Sequence, residues 1–191
     1  MTNQILIKAA DAVSIASLAA AAITGSDTKL MPALAEIRVS LEAGELNAAA
    51  TDRYTAATYK SEATGPDTEF RLTPAAAKFL IANVKRINKH YEVPPVSFTI
   101  DTEARLVTIT HGGATFSDTW NAARFPAIGG LVEGWKPAIE HTSVSLRSEF
   151  LARLNKFLDA FVRVEAWNLE LGLNTHNPRA VPYTHLNLPT I

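Results

Sequence analysis

The chain has 191 residues, 47% of them hydrophobic and 19% charged, with a formal net charge of −1. That length can bury a core in one or two domains, and the balanced charge excludes an overall basic nucleic-acid binder, so any DNA-facing surface has to be local. The absence of cysteine excludes disulfides, thiolate metal sites and cysteine nucleophiles together, as expected for a chain in a reducing cytosol.

The start, MTNQILIKAADAV, lacks the basic region that opens a signal peptide. The longest apolar stretch, Ala16 to Ile23, is too short to span a bilayer, so a cytoplasmic protein with no membrane partner is expected. Ile5 and Ile7 alternate with Leu6 and Lys8 as a first strand. Asp11 is expected to cap a helix that runs through Ile23 and stops at Gly25. Ile37, Val39 and Leu41 alternate with polar residues, Ala43-Gly44 marks a hairpin turn, and Leu46, Ala48 and Ala50 continue the next strand. A further strand is expected over Tyr54 to Tyr59, then a polar loop over Glu62 to Thr68.

The order then repeats. Phe70 and Leu72 read as a strand. Thr73-Pro74 is a strong helix start, a capping hydroxyl followed by proline at the first helical position. The helix is expected to reach His90, before Pro94-Pro95 forbids its continuation. Val96, Phe98 and Ile100 form a strand, Val107 and Ile109 another, and His111-Gly112-Gly113 a turn that leads to Ala114 and Phe116. Residues 128–141 read as a connector. A third copy is expected over 142–191, with strands at Val144 and Leu146, a helix from Ser148 to Ala160, and strands at Val162 and Val164, at Leu169 to Leu173, and at Tyr183 to Leu188. Copies of roughly sixty residues thus repeat one plan of strand, helix and strands three times. The predicted class is α+β, with antiparallel sheets on the outside and helices on one face.

The second helix is amphipathic. Lys78, Lys85 and Lys89 fall within roughly 40° of one another on a helical wheel, with Arg86 at their border, opposite Ala76, Leu80, Val84 and Ile87. Arg153 and Lys156 make a weaker stripe in the third copy. These six bases are candidates for contact with a phosphate backbone, since lysine supplies diffuse attraction without reading sequence. An ordinary solvated helix face carries the same pattern.

Four segments carry a resemblance. LEAGELNAAATDRYTAATYK, from Leu41 to Lys60, resembles the pattern of the bacterial beta sliding clamp family, in which a strand ends in Ala-Thr-Asp. FRLTPAAAKFLIANVK, FSDTWNAARFPAI and the tail from Pro182 to Ile191 are similar to further clamp segments, in the family's order. Residues 1–127 look like one clamp domain of two copies, and 142–191 like half of another, a shortened version of the kind a phage could encode. The resemblance implies a DNA-clamp-like fold, no catalysis, no cofactor, and a processivity factor that encircles duplex DNA without sequence preference. It also implies a pocket for hydrophobic peptides of a polymerase and its loader. By position that pocket takes Thr51, Arg53, Tyr54, Thr55 and Ala56 on one side and Leu186, Leu188, Pro189 and Thr190 on the other, with Leu131 and Val132 closing it. The family places Gly-His-Arg-Leu where this chain has Arg53-Tyr54-Thr55-Ala56, which implies a narrower pocket or a changed preference. A homotetramer is expected, because four chains of three copies match the count around the family's ring. The alternative is a clamp-derived protein that binds partner peptides without encircling DNA.

The residues themselves offer no enzyme. His90, His111, His141, His176 and His185 show no paired metal-ligand spacing, and no glycine-rich phosphate loop precedes a helix. Asp52 reads as a turn or hydrogen-bonding carboxylate, and the serines lack a nucleophile elbow.

Overall fold

Period-two burial builds the strands. In β1 (Thr2–Ile7) the side chains of Ile5 and Ile7 are 0% exposed while Leu6 between them is 42% exposed. The same rule places Val107 and Ile109 inside and Thr108 toward the surface. The computed structural model describes residues 2–22, 31–52, 56–84, 93–128, 152, 170–172 and 183–185. After β1 come α1 (Ala9–Ala22), a short 3-10 helix (Pro32–Ala35), β2 (Ile37–Glu42), β3 (Glu45–Thr51), β4 (Ala56–Glu62) and β5 (Thr68–Leu72). Then follow α2 (Pro74–Val84), β6 (Val96–Asp101), β7 (Leu106–His111), β8 (Ala114–Thr119), β9 (Glu170–Gly172) and β10 (Tyr183–His185). The predicted α+β class holds. The plan of strand, helix and three strands occurs twice up to Thr119, and of the expected third copy only β9 and β10 are described, as an antiparallel ribbon.

The two copies exchange their leading strands. One sheet has the order β4-β3-β2-β5 and the other β1-β6-β7-β8, both antiparallel. So β1 of the first copy pairs with β6 of the second, setting Ile5 opposite Phe98. Likewise β5 of the second pairs with β2 of the first, setting Phe70 opposite Val39. The helices pack on each other, α1 against β2, β3 and β4, and α2 against β5, β7 and β8. One core results. It holds Ile15 and Leu18 of α1, Leu80 of α2, and Phe70 and Phe98, whose ring centroids are 5.6 Å apart. Each such side chain contributes about 1.5–3 kcal/mol by leaving water.

Local chemistry sets most boundaries. The Thr73 hydroxyl accepts the Ala76 N–H at 3.2 Å, capping α2 with Pro74 behind it, as the sequence predicts. Ala43 and Gly44 both have positive φ (51° and 85°), which suits the two-residue turn between β2 and β3. Asp11, in contrast, is not the cap of α1. The helix begins at Ala9, Ala12 N–H donates to Lys8 O at 3.0 Å, and Asp11 lies in the first turn, where its carboxylate suits the helix dipole. Its Oδ1 also accepts the Tyr59 hydroxyl at 2.8 Å, tying α1 to β4. Strand β4, described over Ala56–Glu62, runs past its expected end at Tyr59, because its pairing with β3 continues to Glu45 opposite Glu62, and its expected start at Tyr54 lies outside the described residues. The expected ends of the first helix at Gly25 and of the second near His90 lie outside the described residues.

Two seams join the sheets. At the first, Leu6 N–H donates to Thr64 O at 2.8 Å and Thr64 N–H to Leu6 O at 3.2 Å. The next residue, Gly65, lies so close to β1 that an added Cβ would fall 2.5 Å from Ile5 Cγ2 and 2.9 Å from Gln4 O. At the second seam the chain leaves β8 and crosses back, burying Phe125 and Ile128.

Candidate functional site

Two of the expected pocket residues are described, and the fold brings them together. Thr51 ends β3 and Ala56 begins β4, and the two are the cross-strand partners next to the connection between those strands. Thr51 is 4% exposed and Ala56 half-buried. Asp52 beside them is 2% exposed and partnered, a structural carboxylate. Arg53, Tyr54, Thr55, Leu131, Val132, Leu186, Leu188, Pro189 and Thr190 lie outside the described residues. Of the expected DNA-facing bases, Lys78 is exposed on α2, opposite the buried Ala76, Ala77, Leu80 and Val84. Lys85, Arg86, Lys89, Arg153 and Lys156 lie outside the described residues.

The same end of the sheet holds a buried polar cluster that the sequence does not announce. The register that pairs Arg38 with Ala49 runs on toward Glu36 and Thr51. Glu36 is 5% exposed and Arg71 of β5 is 8% exposed. Arg71 Nη1 donates to Glu36 Oε2 at 3.3 Å and to Asn121 O at 3.2 Å. The Asn121 N–H donates to Glu36 Oε1 at 2.7 Å, and the Arg71 guanidinium lies 5.9 Å from the centroid of the Phe125 ring. Burial pushes the Glu36 carboxyl above its ordinary range, and this outweighs the opposing pull of the Asn121 N–H and of Arg71. Asp118 of β8 adds to the upward push and itself accepts the Thr73 hydroxyl. In sequence, Glu36 and Arg71 stand 35 positions apart among strand residues, so no local pattern marks them as partners.

Other polar groups serve the fold. His111, read from sequence as a turn residue, is the buried last residue of β7, and neither ring nitrogen has a hydrogen-bond partner. No group of three His, Asp or Glu is placed to hold a metal ion among the described residues. No helix among them is long and apolar enough to cross a membrane.

The chain matches no protein-family profile and no curated protein sequence. Its fold is similar to solved bacterial sliding clamps. One is the beta sliding clamp of C. crescentus, crystallised with polyethylene glycol, with a TM-score of 0.52 and 19% identity over 66% of this chain and 32% of that one. Another is the sliding clamp (DNA polymerase III subunit beta) of Bartonella birtlesii bound to griselimycin, with a TM-score of 0.50 and 15% identity over 67% of this chain and 31% of that one. The chain therefore spans about a third of the length of the clamps it resembles. Two antiparallel sheets, two packed helices and this likeness give the protein a clamp-like α+β fold.

Proposed function

We propose that the protein is a sliding-clamp-type tether. It assembles into a ring around duplex DNA, binds short hydrophobic peptides of a polymerase and a loader, and catalyses nothing itself. The observation that carries this reading is the likeness of the fold to solved bacterial clamps. Supporting it, β4 and β8 each have a single hydrogen-bonded neighbour among the described residues, so each leaves an edge onto which another sheet can add. Lys78 faces solvent, and with Lys85, Arg86, Lys89, Arg153 and Lys156 it supplies sequence-independent attraction to phosphates. On this reading the peptide pocket includes the paired Thr51 and Ala56, and the resemblance assigns to it also Arg53, Tyr54, Thr55, Leu131, Val132, Leu186, Leu188, Pro189 and Thr190. The B. birtlesii clamp holds griselimycin, and this protein is proposed to hold a ligand in the same general way.

A second reading is a clamp-derived protein that binds such peptides without encircling DNA. It is favoured by the thin charge on the described helices: Lys78 is the one basic residue of α1 and α2, and Ala10, Ala75 and Ala82 make up much of their exposed surface. Retention on circular DNA separates the two. A ring loaded on a closed circle is retained and then slides off when the circle is cut. A protein that is never retained takes the second reading. In a primer-extension assay with cognate polymerase and loader, lengthened products that disappear in Tyr54→Ala and Leu188→Ala support the tether. Product lengths unaffected by the protein refute it.

A further inference from the structure

The two seams are equivalent in the fold and differ in what covers them. Ile7 opposite Val96 corresponds to Leu72 opposite Ile37, so Leu6 of β1 corresponds to Arg71 of β5, and Pro95 to Glu36. The links out of β4 and β8 correspond as well. Ala63 N–H donates to Gly44 O at 3.1 Å, and Trp120 N–H to Arg105 O at 3.0 Å, so Thr64 matches Asn121. At the second seam the chain covers these positions itself. Asn121 bonds to Glu36 and Arg71, the Phe125 ring lies against the Arg71 guanidinium, and both Glu36 and Arg71 are buried. At the first seam the chain turns into β5 within four residues of Thr64, and the equivalent positions stay bare. Leu6 is 42% exposed, and Lys8, Thr64 and Pro95 are exposed beside it. They line an open groove of about 640 Å³, within the range of clefts that hold ligands.

The groove has two chemistries. Leu6, Ala63 and Pro95 give it apolar surface, and Val93, two residues before Pro95, is also exposed. The β2-β3-β4 side is acidic. Cross-strand register sets Glu42 beside Glu45 and Glu45 beside Glu62. Like charges in that position repel. Lys60 reaches Glu45, but Glu62 has no hydrogen-bond or ion-pair partner among the described residues. Lys8 is the one base among the described lining residues, against Glu45 and Glu62. A cation brought to Glu62 relieves the repulsion.

We propose that this groove docks a segment of a partner protein in which an aromatic side chain stands beside a basic one. The second seam is the template, since a ring placed over Leu6 would take the position that Phe125 takes over Arg71. The acidic row selects the base. At the second seam Asp101, Leu106 and Thr119 hold the equivalent positions, so only one acid remains there. The inference depends neither on ring formation nor on the pocket at Thr51.

The probe is a fluorophore-labelled peptide with the sequence of residues 122–128, AARFPAI, titrated with the full chain. Saturable binding is expected below about 1 mM. It should weaken at least about fivefold in Leu6→Thr, which keeps a strand former and removes the apolar contact, and in Glu62→Lys, which reverses the charge. Exchanging the arginine of the probe for glutamate should weaken it as much. A benzophenone in place of the phenyl ring of the probe should cross-link within Thr2–Lys8, within Ser61–Thr64 or next to Pro95. Absence of saturation overturns the proposal, as does binding that neither variant changes. Cross-links at Thr51 or Ala56 overturn it by assigning the probe to the pocket of the proposed tether. Cross-links at Glu36 or Asn121 overturn it by showing that the probe displaces the covering chain. Self-association that Leu6→Thr abolishes, without probe binding, assigns the groove to a second copy and overturns it as well. Should Leu6→Thr fail to fold, Glu62→Lys at the exposed end of β4 decides together with the cross-links.

Discussion

At Gly65 the fold leaves no room for a methyl group. The atoms an added Cβ would meet include the Gln4 carbonyl oxygen and Ile5 Cα, at 2.9 and 3.0 Å, and backbone cannot swing aside. Gly65→Ala is expected to destabilise the protein by about 1–3 kcal/mol in urea unfolding. Gly113 is the contrasting case, since nothing lies within 4 Å of its Cβ position and only its φ of +83° resists a side chain. Gly113→Ala should cost about 1–2 kcal/mol, from conformation alone. Neither origin is legible from the letter glycine. Gly113 sits in a Gly-Gly pair that local turn chemistry identifies, whereas the need at Gly65 comes from β1, about sixty positions earlier in the chain. Glu36 and Arg71 are hidden in the same way, because each has the local pattern of an ordinary strand residue and finds its partner only through the sheet.

Among the elements, those fixed by adjacent residues were readable. Thr73-Pro74 starts α2 because its hydroxyl and its proline act within one turn, and the alternation of Ile5 with Ile7 and of Val107 with Ile109 gives their strands. The start of α1 was not readable in this way: Asp11 has the right chemistry for a cap, but Tyr59 recruits its carboxylate and the helix begins at Ala9. The double duty of Thr73 makes a test. Its hydroxyl caps α2 and also donates to Asp118. Thr73→Val, close in shape but without the hydroxyl, should lose about 1–2 kcal/mol in chemical denaturation. Thr73→Ser retains both bonds and should stay within about 0.5 kcal/mol of wild type.

For the whole molecule, the number and order of strands and α-helices up to Thr119 follow from pattern, but the 3-10 helix at Pro32–Ala35 and the exchange of β1 and β5 do not, because pairings such as Ile5 with Phe98 span the two copies. The candidate pocket was legible only through a resemblance, and the structure contributes Thr51 facing Ala56. Assembly is the property that the proposed tether cannot lack. Light scattering at micromolar concentration is expected to give a discrete oligomer, with four chains as the leading expectation, and a stable monomer would remove the ring. The exchanged strands carry a consequence for the domain's own origin as a folding unit. A peptide ending at Glu62 would present β1 with no partner and β2 with an open side. It could satisfy both only by trading strands with a twin. The domain is in this sense a swapped dimer of two halves, made permanent by the link through residues 63–67, so that its folding no longer depends on how often two copies meet.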